Sequence, residues 1–225
     1  MGESWYSEII GQDEAIMAYI SSCNLACGVH HVSIGAHPSL PARENFGREI
    51  IDLPESELYQ LILEQVKRLQ AETEKQGRLL HHLKPHGALY NLATISRKEA
   101  VAVCKVCQET GIKRVYGPPN SELERQAIKH KLTFVPEGFI DRVYANGLQL
   151  RSRKLPDAVI DDTEKAATQA LLLARDGKVI DHEGITHKHV VKTLCLHGDH
   201  GDALEQIRAV RECFLRFGIK VESVG

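Results

Sequence analysis

Leu79-Leu80-His81-His82-Leu83-Lys84-Pro85-His86-Gly87-Ala88-Leu89-Tyr90 is the stretch on which the fold turns. Its apolar first half reads as a strand. Lys84 to Tyr90 then brings a cation, a rigid turn former, an imidazole, a glycine and a phenol in quick succession, which is costly chemistry for a mere connection. Three other apolar runs end in the same way, namely Ile34-Gly35-Ala36-His37-Pro38, Gly138-Phe139-Ile140-Asp141-Arg142 and Leu194-Cys195-Leu196-His197-Gly198-Asp199. Strand-like runs that each release His, Asp or Arg at the C-terminal end point to one shared site, because α/β proteins place their active sites at that end of the sheet.

Between these runs the chain repeats one joint. Amphipathic stretches end in glycine and pass into an apolar strand at Gln76-Gly77-Arg78-Leu79, Thr110-Gly111-Ile112-Lys113, Asp176-Gly177-Lys178-Val179 and Phe217-Gly218-Ile219-Lys220. Glycine takes the left-handed conformation that stops a helix, so each joint predicts a helix cap followed by a strand. Pro54 suits the first turn of the longest helix, whose core face carries Leu58, Leu61, Ile62, Gln65, Val66 and Leu69. Further helices are expected over 12–21, 97–110, 121–130, 163–175 and 201–217. Alternating helices and strands argue for α/β architecture with a parallel sheet. The length and the number of polar strand ends favour a closed or nearly closed (β/α) barrel, a single domain over residues 1–225. The 38–52 segment reads as a loop long enough to be functional.

The 225 residues carry a formal net charge of -2 and a pI near 6.6. No electrostatic footprint for nucleic acid or an anionic membrane follows from that balance. No apolar run approaches the roughly 20 residues that span a bilayer, and the first residues lack the basic and apolar regions of a signal peptide. The expected location is therefore cytoplasmic. Of the six cysteines, Cys104 and Cys107 form a C-x-x-C inside a helical stretch and read as core thiols rather than a metal or redox pair. His182, His187 and His189 lie in a polar, turn-like stretch and read as exposed. The chain has neither GxxxxGK[ST] nor GxGxxG, so it carries no P-loop or Rossmann fingerprint.

One interval is too short for this architecture. Cys23–Cys27 reads as a strand end and Val32–Ala36 as the next strand, with only Gly28 to His31 between them. A parallel crossover needs about a dozen residues. The expectation is that residues are absent, with a break at Gly28–Val29, and that a first strand is absent as well.

The motifs Ser22-Cys23-Asn24-Leu25-Ala26-Cys27-Gly28, Gly35-Ala36-His37-Pro38-Ser39, Asn45-Phe46-Gly47-Arg48, Lys84 to Tyr90, Glu137 through Asp141-Arg142 to Tyr144, and Thr193 to Asp199 fall in one order along nearly the whole chain. In that order they resemble the LamB/YcsF family, whose members are also called the A subunit of 5-oxoprolinase. The resemblance implies a distorted seven-stranded (β/α) barrel akin to polysaccharide deacetylases. It implies ATP-dependent opening of the lactam 5-oxoproline (pyroglutamate) to glutamate, with ATP held by this chain or by its partners. It also implies two partner subunits, similar to the bacterial KipI and KipA proteins. Family members begin with a D-L-N-x-D-x-G-E-S strand, of which only Met1-Gly2-Glu3-Ser4 is matched here. They also carry F-H-A-G-D and a helix after A-C-G, where this chain has Val29-His30-His31.

A lactam carbonyl is a poor electrophile, and phosphorylation of the amide oxygen would activate it. Such a site needs a base for water, charge stabilisation at oxygen, an acid for the leaving nitrogen and a clamp for the substrate carboxylate. Lys84 could place a charge near the oxygen, His86 could shuttle a proton, and Asp199 or Glu137 could act as base. Arg48 or Arg142 could grip a carboxylate. Asn24, His37, Tyr90, Asp141 and His197 complete the expected substrate-binding set, with Asp141-Arg142 alternatively an internal ion pair and Tyr90 and Tyr144 alternatively wall residues. His37, His86 and His197 could hold a divalent metal. Two readings compete with this one. The first is a stand-alone metal-dependent deacetylase or amidohydrolase, and the second is a non-catalytic substrate-binding scaffold.

Overall fold

The computed structural model describes residues 27, 29–30, 32–41, 45–198 and 201–222. They fall into two compact units. The first runs to Gly117 and takes in Glu122–Phe134; the second takes Pro118–Ser121 and the chain from Val135 onward.

The first unit holds β1 (Gly35–Ala36), α1 (Glu55–Glu74), β2 (His82–Leu83), α2 (Gly87–Ile95), α3 (Arg97–Thr110), β3 (Arg114–Gly117), α4 (Glu122–Lys129) and the start of β4 (Thr133–Phe139). β1, β2 and β3 run parallel, with Gly35 opposite His82, Ala36 opposite Leu83 and Leu83 opposite Val115. The helical spacing read in α1 is realised: Leu58, Ile62, Val66 and Leu69 are buried, and Pro54 precedes the first turn. They share a core with Leu83, Leu89, Val103, Val115 and Leu123. α3 spans its expected range and stops at Gly111, which takes a left-handed φ of 74°. Cys104 and Cys107 lie one turn apart on its buried face. Burial pushes the Cys104 thiol up to about 12 and raises that of Cys107 as well.

The second unit contains the rest of β4 paired in parallel with β7 (Thr193–Cys195), with Glu137 opposite Thr193 and Phe139 opposite Cys195. α5 (Thr163–Leu171) is capped by the Asp162 carboxylate, which accepts the Lys165 N–H. It continues into a π-turn (Leu172–Asp176) that ends on left-handed Gly177. β5 (Lys178–Ile180) and β6 (Thr186–Lys188) form an antiparallel hairpin, and α6 (Ala203–Arg216) packs on α5.

All four glycine joints carry the left-handed φ expected of them, at Gly77, Gly111, Gly177 and Gly218. Other expectations need correction. The strand read over Leu79–Leu83 shrinks to His82–Leu83, because Leu79 is 77% exposed and has left the core. No strand follows Gly218 among the described residues. The polar stretch around His182 is a turn as read, and it closes the hairpin of β5 and β6. The Asp181 carboxylate accepts the N–H groups of Glu183 and Ile185 and folds the chain back. Two of the seven described strands are an antiparallel pair outside the five-stranded sheet. Cys27 is helical rather than extended, and its carbonyl accepts the N–H of Val32 at 2.8 Å. The expected break at Gly28–Val29 falls outside the described residues. Gly28 itself, the 12–21 helix and the expected first strand lie outside the described residues.

α2 was not anticipated. Gly87 begins it with φ +54°, and a Cβ there would stand 2.4 Å from the Gly47 carbonyl oxygen. That oxygen accepts the Ala88 N–H at 2.9 Å. Only glycine lets the two backbones cross this closely.

Candidate active site

In the first unit the parallel ladder sets the site. Main-chain bonds continue past the strand ends, from Lys84 N–H to the Ala36 carbonyl (2.9 Å) and from His86 N–H to the Pro38 carbonyl (2.8 Å). These bonds hold the two polar strand ends side by side. His37 Nδ1 lies 2.6 Å from the Lys84 carbonyl, and its Nε2 lies 3.0 Å from His86 Nδ1. His86 Nε2 in turn lies 2.9 Å from the Phe46 carbonyl. His86 is buried and His37 half-buried. The Phe46 and His86 rings meet at nearly a right angle, and the Arg48 guanidinium lies over the Phe46 ring, 4.9 Å from its centre. Tyr90 is buried in the first turn of α2. The Gln65 amide clamps the His37 loop from α1, accepting the Ser39 N–H and donating to the Ser39 carbonyl.

In the second unit, β4 delivers Glu137, which is buried, and then Asp141 and Arg142. One oxygen of the fully buried Asp141 carboxylate accepts both the ring Nδ1–H of His197 at 2.7 Å and its main-chain N–H at 2.9 Å. Burial pushes the Asp141 carboxyl up. The hydrogen bonds and charge of His197 outweigh that effect and hold the group below the usual carboxylate range. The His197 ring lies nearly parallel to Phe139, 5.6 Å away. With Nδ1 protonated toward the carboxylate, neutral His197 keeps its lone pair on Nε2. Among the described residues no protein group is hydrogen-bonded to that nitrogen.

The segment carrying Asp141 is fixed from several sides. The Gln169 amide of α5 donates to the carbonyls of Phe139 and Arg142 at 2.7 and 2.9 Å, and Ile160 N–H donates to the Asp141 carbonyl. Arg142 donates to the carbonyls of Ala158 and Arg151, so its guanidinium is engaged in holding a loop. Tyr144 is a buried buttress: its hydroxyl accepts the Phe139 N–H at 2.9 Å, and burial raises its pKa. His189, expected on the surface, is fully buried and donates to the Gly147 carbonyl. His187 is half-buried against the Asp181 carboxylate, while His182 is exposed as read. Asn24 and Asp199 lie outside the described residues.

The structure thus pairs His37 with His86 in one unit and Asp141 with His197 in the other. Sequence reading missed Phe46, Gln65 and Gln169 as supports. Gln65 did leave a signal, as a polar side chain on the core face of α1; Gln169 left none. Among the described residues no three His, Cys, Asp or Glu side chains gather as a metal would require. The donor set argues in the same direction, because the ring nitrogens of His37 and His86 face carbonyls and each other rather than a common point. No described helix is long and apolar enough to cross a membrane.

Comparison with known proteins places this architecture. The LamB/YcsF family model matches residues 1–225. The chain is 37% identical to the A subunit of 5-oxoprolinase from Bordetella pertussis (strain Tohama I), covering 99% of this chain and 96% of that protein. Identity to the A subunit of 5-oxoprolinase from Shouchella clausii is also 37%, over 99% and 95% of the two chains. The crystal structure of the lactam utilization protein from Thermus thermophilus superposes with a TM-score of 0.81 at 34% identity, covering 92% of this chain and 83% of that one. The chain belongs to the LamB/YcsF family.

Proposed function

We propose that this chain is the A subunit of an ATP-dependent 5-oxoprolinase, which hydrolyses 5-oxoproline to glutamate with two partner subunits similar to KipI and KipA. The names of its relatives support a role in a hydrolytic, multisubunit enzyme. The observation that carries the reading to this chain's own chemistry is the Asp141–His197 pair. A buried carboxylate that accepts the Nδ1–H of a histidine fixes the tautomer and stabilises the imidazolium that forms when Nε2 takes a proton. That is the equipment of a general base for attacking water.

In this reading ATP phosphorylates the amide oxygen of the lactam. Water then adds to the activated carbon as its proton passes to His197 Nε2. The C–N bond breaks, and the ring nitrogen leaves with the bonding electron pair and takes a proton. The former lactam carbon is left as an acyl phosphate, which a second water hydrolyses to glutamate and inorganic phosphate. Arg142 donates to the carbonyls of Ala158 and Arg151 and holds its loop. Glu137 and Asp199 are the alternative bases. Neither a P-loop nor a Rossmann motif is present in the chain, so ATP is assigned to the assembled complex. No step is routed through a metal, since the described donor set does not fit one.

The test is glutamate release from 5-oxoproline with ATP, using this chain alone, each pairwise mixture and the complete mixture. Release confined to the complete mixture is expected. Release by the chain alone without ATP would replace this reading with a stand-alone amidohydrolase.

A further inference from the structure

Of the buried residues on α6, Gln206, Val210 and Phe214, only the first is polar. Gln206 is fully buried. Its amide nitrogen donates to the carbonyls of Ile160 at 2.8 Å and Asp161 at 3.3 Å. Its amide oxygen is buried as well and accepts no hydrogen bond among the described residues. Turning the amide over would set that oxygen against two carbonyls that only accept, so the orphan belongs to the arrangement itself. A buried acceptor without a donor is costly, and an apolar side chain of similar length would fill the place without that cost. What the position uses is therefore the donating end of the amide.

The carbonyls that Gln206 holds belong to the strip of chain backing Asp141. Ile160 N–H donates to the Asp141 carbonyl at 2.9 Å, and Val143 N–H donates to the Ala158 carbonyl at 3.1 Å. Arg142 and Val159 pair in antiparallel fashion between them. Residues 141–143 and 158–160 thus form a short ribbon. Gln169 of α5 grips one of its strands through the Phe139 and Arg142 carbonyls, and Gln206 of α6 grips the other. We propose that Gln206, with Gln169 as its counterpart, is a positioning residue for the Asp141–His197 pair and acts through this ribbon. The chain leaving β7 is tied to the ribbon twice, by His197 to the Asp141 carboxylate and by Gln206 to the Ile160 carbonyl. The first tie orients the imidazole against the carboxylate. The second holds the backbone from which that carboxylate projects. That the pair acts on a lactam rests on the function proposed above; its placement by Gln206 does not.

The experiment compares the full wild-type chain with Gln206→Met, which keeps the length of the side chain and removes the donor. The first readout is amide hydrogen exchange, followed by NMR on the chain alone. The amides of Ile160 and His197 both donate to Asp141. They should exchange about tenfold faster or more in the variant, while those of Ala170 in α5 and Val210 in α6 keep their wild-type rates. Unchanged exchange at Ile160 and His197 would overturn the proposal. An equal rise at all four amides would also overturn it, because that is the mark of loosened packing. The second readout is glutamate release by the complete mixture, in which kcat should fall about tenfold or more with KM held within about twofold. An unchanged kcat beside an active wild-type mixture would contradict the positioning role. An inactive wild-type mixture would instead overturn the function proposed above, and the exchange rates would still decide the placement of the pair. Gln206→Leu and Gln169→Met carry the same expectations, so a variant that fails to fold leaves the decision to the others.

Discussion

Asp141 Oδ2 receives two N–H groups of a single residue, the ring Nδ1–H and the main-chain N–H of His197. One bond sets where the His197 backbone lies and the other sets how its ring turns, so the tautomer of the imidazole is decided by a buried carboxylate. Asp141→Asn keeps an acceptor of similar shape and removes the charge that stabilises the imidazolium. The complete 5-oxoprolinase mixture should then lose about 100-fold or more in kcat with a smaller change in KM. Steady-state kinetics on the two proteins check this, and an unchanged kcat would remove the pair from the chemistry.

His82 gives the fold a pH dependence of known sign. Burial, reinforced by the positive charges of His81, Lys84 and Arg114, lowers its pKa from 6.5 to about 4. Between those values the unfolded chain binds a proton that the folded one refuses. The contribution of His82 is therefore complete above about pH 6.5, and roughly 3 kcal/mol is lost as pH falls toward 4. His82→Phe, which retains a ring to stack on Tyr116, should flatten this part of the profile. Urea midpoints of both proteins at pH 7, 6 and 5 read the difference.

Gly87 and Gly77 share a positive φ but differ in surroundings. A Cβ at Gly87 would meet the Gly47 carbonyl oxygen at 2.4 Å, whereas one at Gly77 would meet nothing within 4 Å. Gly77→Ala should cost about 1–2 kcal/mol through backbone conformation alone. Gly87→Ala adds a collision between backbones and should cost about 3 kcal/mol or more. Denaturant unfolding of the two variants separates the terms.

Cys104 and Cys107 should resist thiol reagents. Both are fully buried, and burial holds both as thiols. Mass spectrometry of native protein treated with iodoacetamide at pH 8 should find these two unlabelled and labelled only after unfolding. Rapid native labelling of either would revive the reading of C-x-x-C as a reactive pair.

The parts of the fold legible in the sequence were those set by local chemistry. Glycine needs no partner to stop a helix, so all four joints were readable at Gly77, Gly111, Gly177 and Gly218. The apolar face of α1 was readable because helical period and burial coincide. Tertiary effects were not readable. Gly35 looks like an ordinary strand glycine until the His82 ring is found where its Cβ would stand, 2.2 Å away. α2 was hidden because its first residue, Gly87, signals a turn. At the site, the residue types at the strand ends were visible, but their pairing was not. Asp141 looked like a partner for its neighbour Arg142. It bonds instead to His197, 56 residues away in sequence, and only strand register between β4 and β7 makes that choice.

The most direct test of the proposed function is glutamate release from 5-oxoproline, followed together with ADP formation, in the complete three-subunit mixture containing either the wild-type chain or His197→Gln. The account predicts ATP-dependent release with the wild-type chain and a loss of about 100-fold or more with the variant, the complex still assembling. Wild-type rates from a properly assembled His197→Gln complex would contradict it.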